Sequence, residues 1–313
     1  MKLSFPIATV PDWTDSKYAA EMTERQFRSI HLRIDSIGLA DVPGLKRIQS
    51  ATKSPSLVES ELRKWLISSW NTEHILALSA SVLDEAAGAI LQWTFPQAYY
   101  SCFASTLAFF QVAGFTEASH TSVIKKYAQL VKAGEYPYAF GFNATGTKKN
   151  MQFSNLSVGS GSSTSLHFSE ADPQSWDKHI KQFLRSTREV NLEKKKADLK
   201  LKTASGSTRT KYSEEHWEIA SDKIGPTALL CLLYRKRKKA NYRDIDTFTE
   251  SGVDPGAIFE SLVAIVNAVS TVNESFVAAA MGSSWYAGCV SNYLSNASSN
   301  QLSARKDEVL ALI

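Results

Sequence analysis

Residues 96–114 read PQAYYSCFASTLAFFQVAG, and this stretch decides the fold. A proline at the start and a glycine at the end are typical first and last signals of a helix. The residues between them are apolar on almost every side. Because such a helix has no polar face to present to water, it is enclosed by other helices. The stretch therefore predicts the central helix of a bundle.

The surrounding sequence shows the amphipathic periodicity of further helices. Apolar residues recur at helical spacing in segments 16–38, 54–70, 72–93 and 116–134. After residue 211 the pattern resumes in two long apolar helices and a short C-terminal one. The chain is therefore predicted to be mainly α.

Residues 135–211 interrupt this pattern. Short alternating apolar runs around a Gly/Ser tip in 151–168 predict a two-stranded β-hairpin excursion or a mobile loop. A polar, basic helix is predicted over 173–202, and TASGSTRTK (203–211) is the best linker candidate. The predicted organisation is an N-terminal helical extension (1–71), a helical bundle (72–134 with 212–313) and an insertion (135–211).

Composition restricts the class of protein. A chain of 313 residues can bury one or two cores. No apolar run approaches the ~20 residues that span a bilayer, and residues 1–13 show no secretory signal, so no membrane partner is expected. Cys102, Cys231 and Cys289 are far apart among apolar neighbours, which is typical of buried thiols in a reducing compartment. We expect a cytoplasmic protein.

Several common chemistries are not supported. The glycine-rich stretches at 141–149 and 158–163 lack the order of a phosphate-binding loop. The histidines show no metal-ligand spacing, and no serine-hydrolase elbow is present. We expect neither a metal nor another cofactor.

The charge distribution points to a polyanion. Residues 181–211 carry a formal charge of +7 and residues 235–243 carry +6, so the rest of the chain is at −9. An acidic body with two concentrated basic segments suits a nucleic-acid partner, although lysine-rich helices often serve only as soluble faces.

The run RKRKKANYRDIDTF (235–248) needs its own explanation. Cations in the last turn of a helix interact favourably with its dipole, which explains some of the lysines. Arg237, however, follows Leu230 and Leu233 on one helical face and is therefore predicted to lie on a packing seam. A charge there requires a partner, for which Asp244, Asp246 or a phosphate are candidates. An ion pair, a nucleic-acid contact and catalysis all remain open.

The order of these motifs resembles the HEPN superfamily of prokaryotic helical bundles. QAYYSCFASTLAFFQVAGF followed by the Ser-His of residues 119–120 resembles the family's helix with an Ala-Tyr-Tyr opening. RKKANY (237–242) is similar to its closing Arg-x-x-Ala-Asp-Tyr, with Asn241 in place of aspartate. The resemblance covers about residues 72–133 and 212–280.

The resemblance implies an RNA-directed function: a ribonuclease, a toxin, or an antiviral defence protein, often dimeric. Catalytic members carry an arginine followed four to six residues later by a histidine. Here Arg237 is followed by Tyr242, five positions on, and loose matches elsewhere are Arg25 with His31 and Arg209 with His216. In a metal-independent endoribonuclease such a pair acts as acid, base and phosphate ligand.

The sequence thus predicts an RNA-binding or RNA-cleaving component of a prokaryotic defence or toxin-type system, acting as a homodimer or within a multi-protein complex. The alternatives are a non-catalytic adaptor subunit and a DNA-binding regulator; RNA is favoured over DNA. The candidate catalytic residues are Arg209, His216, Arg237 and Tyr242. The candidate nucleic-acid ligands are Arg235, Lys236, Arg237, Lys238, Lys239, Arg243, Lys194, Lys195 and Lys196. Tyr99, Tyr100, His120 and Asn241 are predicted to be structural.

Overall fold

The structure, a computed structural model, describes residues 13–54, 57–79, 83–157, 168–203, 205–242, 253–297 and 299–313. Within these ranges the chain forms helices with one small sheet, so it is mainly α-helical as predicted. The helices are α1 Trp13–Ile37, α2 Lys46–Gln49, α3 Glu59–Ser79, α4 Leu83–Ala113, α5 His120–Lys132, α6 Pro173–Leu199, α7 Glu214–Ile224, α8 Leu229–Tyr242, α9 Pro255–Met281, α10 Ser283–Leu294 and α11 Asn300–Ala311. The strands are β1 Asn143–Thr145 and β2 Gln152–Ser154, and a 3₁₀ turn spans Val42–Gly44.

Helices α4 and α9 are the centre of the bundle. Helix α4 packs along α9, α3 and α8, and α9 also packs against α1 and α11. By length and composition α9 is apolar enough to cross a membrane, but most of it is buried inside the protein. It is a core helix of the bundle, and the central role predicted for residues 96–114 is confirmed.

The contact between α4 and α9 combines stacked rings with a buried polar clamp. The rings of Phe109 and Phe276 stack with their centroids 4.3 Å apart. One turn away, the Asn273 amide donates to Ser105 Oγ at 3.0 Å and to Thr106 Oγ1 at 3.2 Å. Because an unpaired buried amide is costly, this clamp favours one register of the two helices.

A buried ionic network joins α3, α9 and α11. Arg305 donates to both carboxylate oxygens of Glu73, at 2.9 and 2.7 Å, and its Nε lies 3.4 Å from Glu274 Oε1. Glu274 also accepts from Trp70 Nε1 at 3.0 Å and from the Tyr286 hydroxyl at 2.5 Å. Burial raises the pKa of Glu274, and Arg305 and these donors oppose that shift.

Helix α4 is longer than the sequence indicates. A break was predicted between segments 72–93 and 96–114, but Pro96 lies inside a continuous helix, and residues 72–79 belong to α3. That expectation was wrong because core packing on both sides of Pro96 outweighs the loss of one helical hydrogen bond. The Thr94 hydroxyl donates to the Leu91 carbonyl at 2.7 Å beside the proline.

The insertion contains a short antiparallel hairpin in which Ala144 pairs with Phe153. Strand β2 lies in the segment predicted to form strands, whereas the Gly/Ser tip at 158–167 is outside the described residues. Buried Arg33 of α1 fixes the region after the hairpin: it donates to Asp177 Oδ1 at 2.7 Å and to the Asn155 carbonyl at 2.8 Å. The hairpin is thereby fastened to α1 and α6.

One of the predicted boundaries falls inside a helix. The boundary at residue 71 lies inside α3, and α1 and α6 contribute Phe27 and Phe183 to the main core, their rings 5.5 Å apart. In the linker candidate 203–211, the Thr203 amide donates to the Ser207 carbonyl at 2.8 Å, which closes a tight turn.

Replacing Arg305 by alanine leaves two buried carboxylates without their cation. Breaking a buried ion pair typically costs about 3–5 kcal/mol, and we expect the free energy of unfolding to fall by that amount in urea denaturation followed by circular dichroism. Lys306→Ala is the matched control, because Lys306 pairs at 3.6 Å with the exposed Asp307 on the same helix and should change stability by less than about 1 kcal/mol. Equal losses in both variants would contradict the central role of Arg305.

Candidate functional site

A basic cleft opens where α5, α6, α7 and α8 meet. It has a volume of 230 Å³ and is called the lysine cleft. Its cations are Lys125 of α5, Lys194 and Lys195 of α6, Lys223 of α7 and Lys238 of α8. Its only acidic lining residue within the described part of the chain is Asp198, which lies 3.8 Å from Lys195. The cleft therefore carries a large excess of positive charge.

Local structure explains how these lysines converge. Helix α7 ends at Gly225, whose φ of +71° lies in the left-handed region that favours glycine. A Cβ at Gly225 would stand 3.3 Å from Lys125 Cγ, so glycine also lets the Lys125 side chain pass closely. Lys125 Nζ then donates to the Lys223 carbonyl at 3.2 Å. This contact holds one cation at the carbonyl end of a helix, where positive charge is favourable.

The floor of the cleft is apolar and aromatic. Cys231 and the ring of Tyr234 line it, and Lys238 Nζ lies 4.2 Å from the centroid of that ring. Burial raises the pKa of Cys231 to about 11, so its thiol stays protonated at neutral pH. The floor offers a flat π face beside a cation, an arrangement suited to stacking.

Behind Tyr234 lies a compact group, the tyrosine–histidine cluster, made of Tyr99, Tyr100, His120, Tyr234 and Arg237. The Tyr99 hydroxyl and His120 Nδ1 share a hydrogen bond of 2.7 Å. Arg237 lies over Tyr100 at 4.7 Å and donates to its hydroxyl. The His120 ring stacks on Tyr234 at 6.0 Å. The cluster thus adjoins the lysine cleft through a shared ring.

The environment of His120 favours a neutral imidazole. Burial lowers the pKa of His120, and the positive charge of Arg237 lowers it further. Burial also raises the pKa of Tyr99, so the phenol remains protonated beside the ring. With Nδ1 occupied by Tyr99, Nε2 is the nitrogen left for a proton-transfer partner.

The structure disperses the basic run of α8. The Arg235 guanidinium donates to Ser186 Oγ at 2.7 Å, and Lys236 Nζ donates to Thr23 Oγ1 at 2.5 Å. Arg237 turns to the tyrosines, and Lys238 turns to the lysine cleft. These four side chains therefore form no single stripe.

Arg237 lies next to the buried seam, as its helical spacing predicted. Leu230 and Leu233 are each 1% exposed, and Arg237 is half-buried beyond them. Its partners are tyrosine rings and a hydroxyl. Lys239, Asn241 and Tyr242 belong to α8, but their side chains are outside the description; Arg243, Asp244 and Asp246 lie outside the described residues.

The lysines of α6 also separate. Lys194 and Lys195 line the cleft, whereas Lys196 lies 5.5 Å from the ring centroids of both Tyr212 and Trp217. Lys125 and Lys223 were missed by the sequence analysis, because they are isolated cations far from the basic segments in the chain. His120 was predicted only as a structural residue. The Ser-His opening of α5 is the sequence signal that could have marked His120 as a site residue.

The other candidate catalytic residues have separate surroundings. His216 Nδ1 bonds to Ser213 in a capping box at the start of α7, and Arg209 Nε donates to the Lys202 carbonyl at 3.0 Å. Arg25 and His31 form the other loose match to the Arg–His pattern, and there His31 Nε2 lies 2.9 Å from Asp35 Oδ2. Among the described residues, no group of three or more His, Cys, Asp or Glu side chains could hold a metal ion.

Comparison with known proteins adds no relative. No family model, curated protein or solved structure matches this chain. The HEPN resemblance therefore stays a prediction.

Replacing Arg237 by glutamine should raise the pKa of His120, because it removes the nearest positive charge. The titration of the His120 ring can be followed by NMR. Arg235→Gln is the matched control: Arg235 is on the same helix but bonds to Ser186 and Thr187, and its replacement should leave the titration unchanged. An unaltered His120 pKa in Arg237→Gln would show that the two groups do not interact.

Proposed function

We propose that this protein binds single-stranded RNA, with the strand's phosphates in the lysine cleft and a base against Tyr234. The observation that carries the proposal is the convergence of five lysines from four helices on one 230 Å³ space with a single acid. Like charges held together are unfavourable, and a bound polyanion relieves that repulsion.

The aromatic floor supports a nucleic acid over a simple anion. Proteins that hold single strands combine a positive groove with rings on which bases stack. Tyr234 supplies such a ring within the cleft, with Lys238 alongside. The preference for RNA over DNA, and the setting in a prokaryotic defence or toxin-type system, come from the HEPN resemblance.

Changing Lys125, Lys194 and Lys223 together to glutamine should weaken RNA binding and flatten its salt dependence. Each phosphate contact contributes about 0.7 to the slope of log affinity against log salt, so the slope should fall by about 2. Fluorescence anisotropy with labelled single-stranded RNA measures both quantities.

The matched control is the triple glutamine variant of Lys46, Lys53 and Lys64, which lie outside the cleft on or near α2 and α3. This variant should bind like the unaltered protein. An equal loss in both variants would indicate diffuse attraction in place of a site. Tighter binding of single-stranded DNA than of RNA would favour the DNA-binding regulator, and no binding to either would favour the adaptor subunit.

The tyrosine–histidine cluster supports a second candidate function, metal-independent RNA cleavage. Neutral His120, in the tautomer whose Nδ1–H donates to the Tyr99 hydroxyl oxygen, can accept the proton of a ribose 2′-hydroxyl at Nε2 while the 2′-oxygen attacks the adjacent phosphorus. The 5′-oxygen then leaves and takes a proton from water, which yields a 2′,3′-cyclic phosphate. Arg237, which lies within 6 Å of the Tyr99, Tyr100 and Tyr234 ring centroids, and the cleft lysines can balance the phosphate's charge.

If cleavage occurs, His120→Ala should reduce it by about 10²–10⁴-fold in buffer containing a metal chelator. The rate should rise with pH and level off below the ordinary histidine value of 6.5, because the pKa of His120 is lowered. Gel analysis of labelled RNA gives the rates. His216→Ala is the comparison variant, and loss of cleavage in that variant alone would transfer the role of base to His216.

A further inference from the structure

A second, larger cleft lies on the other side of the segment that joins α7 to α8. It has a volume of 420 Å³, within the range of small-molecule sites, and is called the polar cleft. It shares Pro226 with the lysine cleft, so the two clefts are neighbours. Its lining is polar, with hydroxyl, amide, carboxylate, ammonium and guanidinium groups, among them Lys132, Thr147, Asn150, Arg188, Glu218 and Asp222.

Arg188 is the fixed element of this cleft. It is 1% exposed, and its Nε donates to the Gly146 carbonyl at 2.7 Å. One terminal nitrogen donates to the Gly225 carbonyl at 2.7 Å, and the other donates to Ser221 Oγ at 2.8 Å. A guanidinium has five N–H donors, and the last nitrogen keeps one hydrogen with no acceptor in the described part of the chain. No described carboxylate forms an ion pair with Arg188.

Two acids lie on α7 on either side of Ser221, the residue whose hydroxyl accepts from Arg188. Glu218 and Asp222 are four residues apart on α7, both exposed, and neither forms an ion pair or hydrogen bond with the described residues. Like charges at this spacing repel each other. Because Lys132 and Arg188 line the same cleft, its cations and acids balance, and the polar cleft lacks the excess positive charge of the lysine cleft.

We infer that the polar cleft reads a guanine base of the strand whose phosphates occupy the lysine cleft; this inference rests on the proposed function. Guanine presents two adjacent donors, N1–H and the N2 amine, which one carboxylate can accept together. Its O6 accepts from a guanidinium or amide hydrogen. The polar cleft provides both partners, since Glu218 or Asp222 can accept while Arg188 or Asn150 donates.

The alternatives fit less well. Uracil has one ring N–H and two carbonyl oxygens, so it offers little to a pair of carboxylates. Adenine and cytosine each present one exocyclic amine and no second donor beside it on the same edge. Single-stranded RNA is generally read on such base edges, with the base turned out of the stack. The cleft chemistry therefore selects guanine.

The test compares short oligoadenylates that differ only at one central position, which is guanosine, inosine or adenosine. A bidentate base contact gives about 1–3 kcal/mol of discrimination, so guanosine should bind about tenfold more tightly than adenosine. Inosine lacks the N2 amine and should lose most of this gain. Anisotropy titrations with the full chain give the three affinities.

The variant Glu218→Gln with Asp222→Asn should abolish the guanosine-to-adenosine ratio. The ratio is the readout, because removing two negative charges strengthens phosphate binding to every oligonucleotide. Glu215→Gln is the matched control: Glu215 is exposed on the same helix but outside the cleft lining, and its replacement should keep the ratio.

Equal binding of all three oligonucleotides overturns the guanine assignment and leaves the proposed RNA function standing. A guanosine preference that survives in the double variant overturns its assignment to this cleft. If no oligonucleotide binds, the proposed function fails and this inference fails with it.

Discussion

Three segments of the chain meet on one buried guanidinium, that of Arg188 in α6. Its donors reach the hairpin at Ala144 and Gly146, α7 at Ser221, and the α7–α8 connection at Gly225. Gly146, Ser221 and Gly225 line the polar cleft, and Thr227, whose hydroxyl accepts from Arg188 at 3.2 Å, lines the lysine cleft, so the relative position of the two clefts depends on this one side chain. Burial lowers the pKa of Arg188 to about 10, still well above neutral pH, so it remains charged. Carbonyl dipoles, in place of a carboxylate, stabilise that charge.

The bundle could be predicted from the sequence because its main signals are local. An all-round apolar stretch at 96–114 and the amphipathic segments around it indicate helices that must cover one another. The continuity of α4 through Pro96 could not be predicted, because the local rule for proline competes with core packing that only the assembled bundle provides. The same holds for the buried network. In the chain, Glu73 lies more than 200 residues from Arg305, and Glu274 lies about 30 residues from it.

The candidate site was predictable only in part. The sequence identified Lys194, Lys195 and Lys238 through the density of charge around them, and the structure places all three in one cleft. It also suggested that Arg235, Lys236, Arg237 and Lys238 act together. Successive residues of an α-helix point about 100° apart, so neighbours in sequence face different partners. Lys125, Lys223 and His120 were not recognised as site residues, because nothing near them in the chain marks a cleft that forms only between helices.

Glu274 gives the core a proton-binding group of its own. Its pKa is raised by burial above the value of 4.5 that the unfolded chain has. The folded protein therefore holds this proton more tightly than the unfolded chain. The contribution of Glu274 to stability is fully present below pH 4.5 and is lost as the pH rises through the folded value. Folding and protonation are thus coupled at the centre of the bundle, where folding takes up a proton in mild acid and a rising pH weakens the core from within.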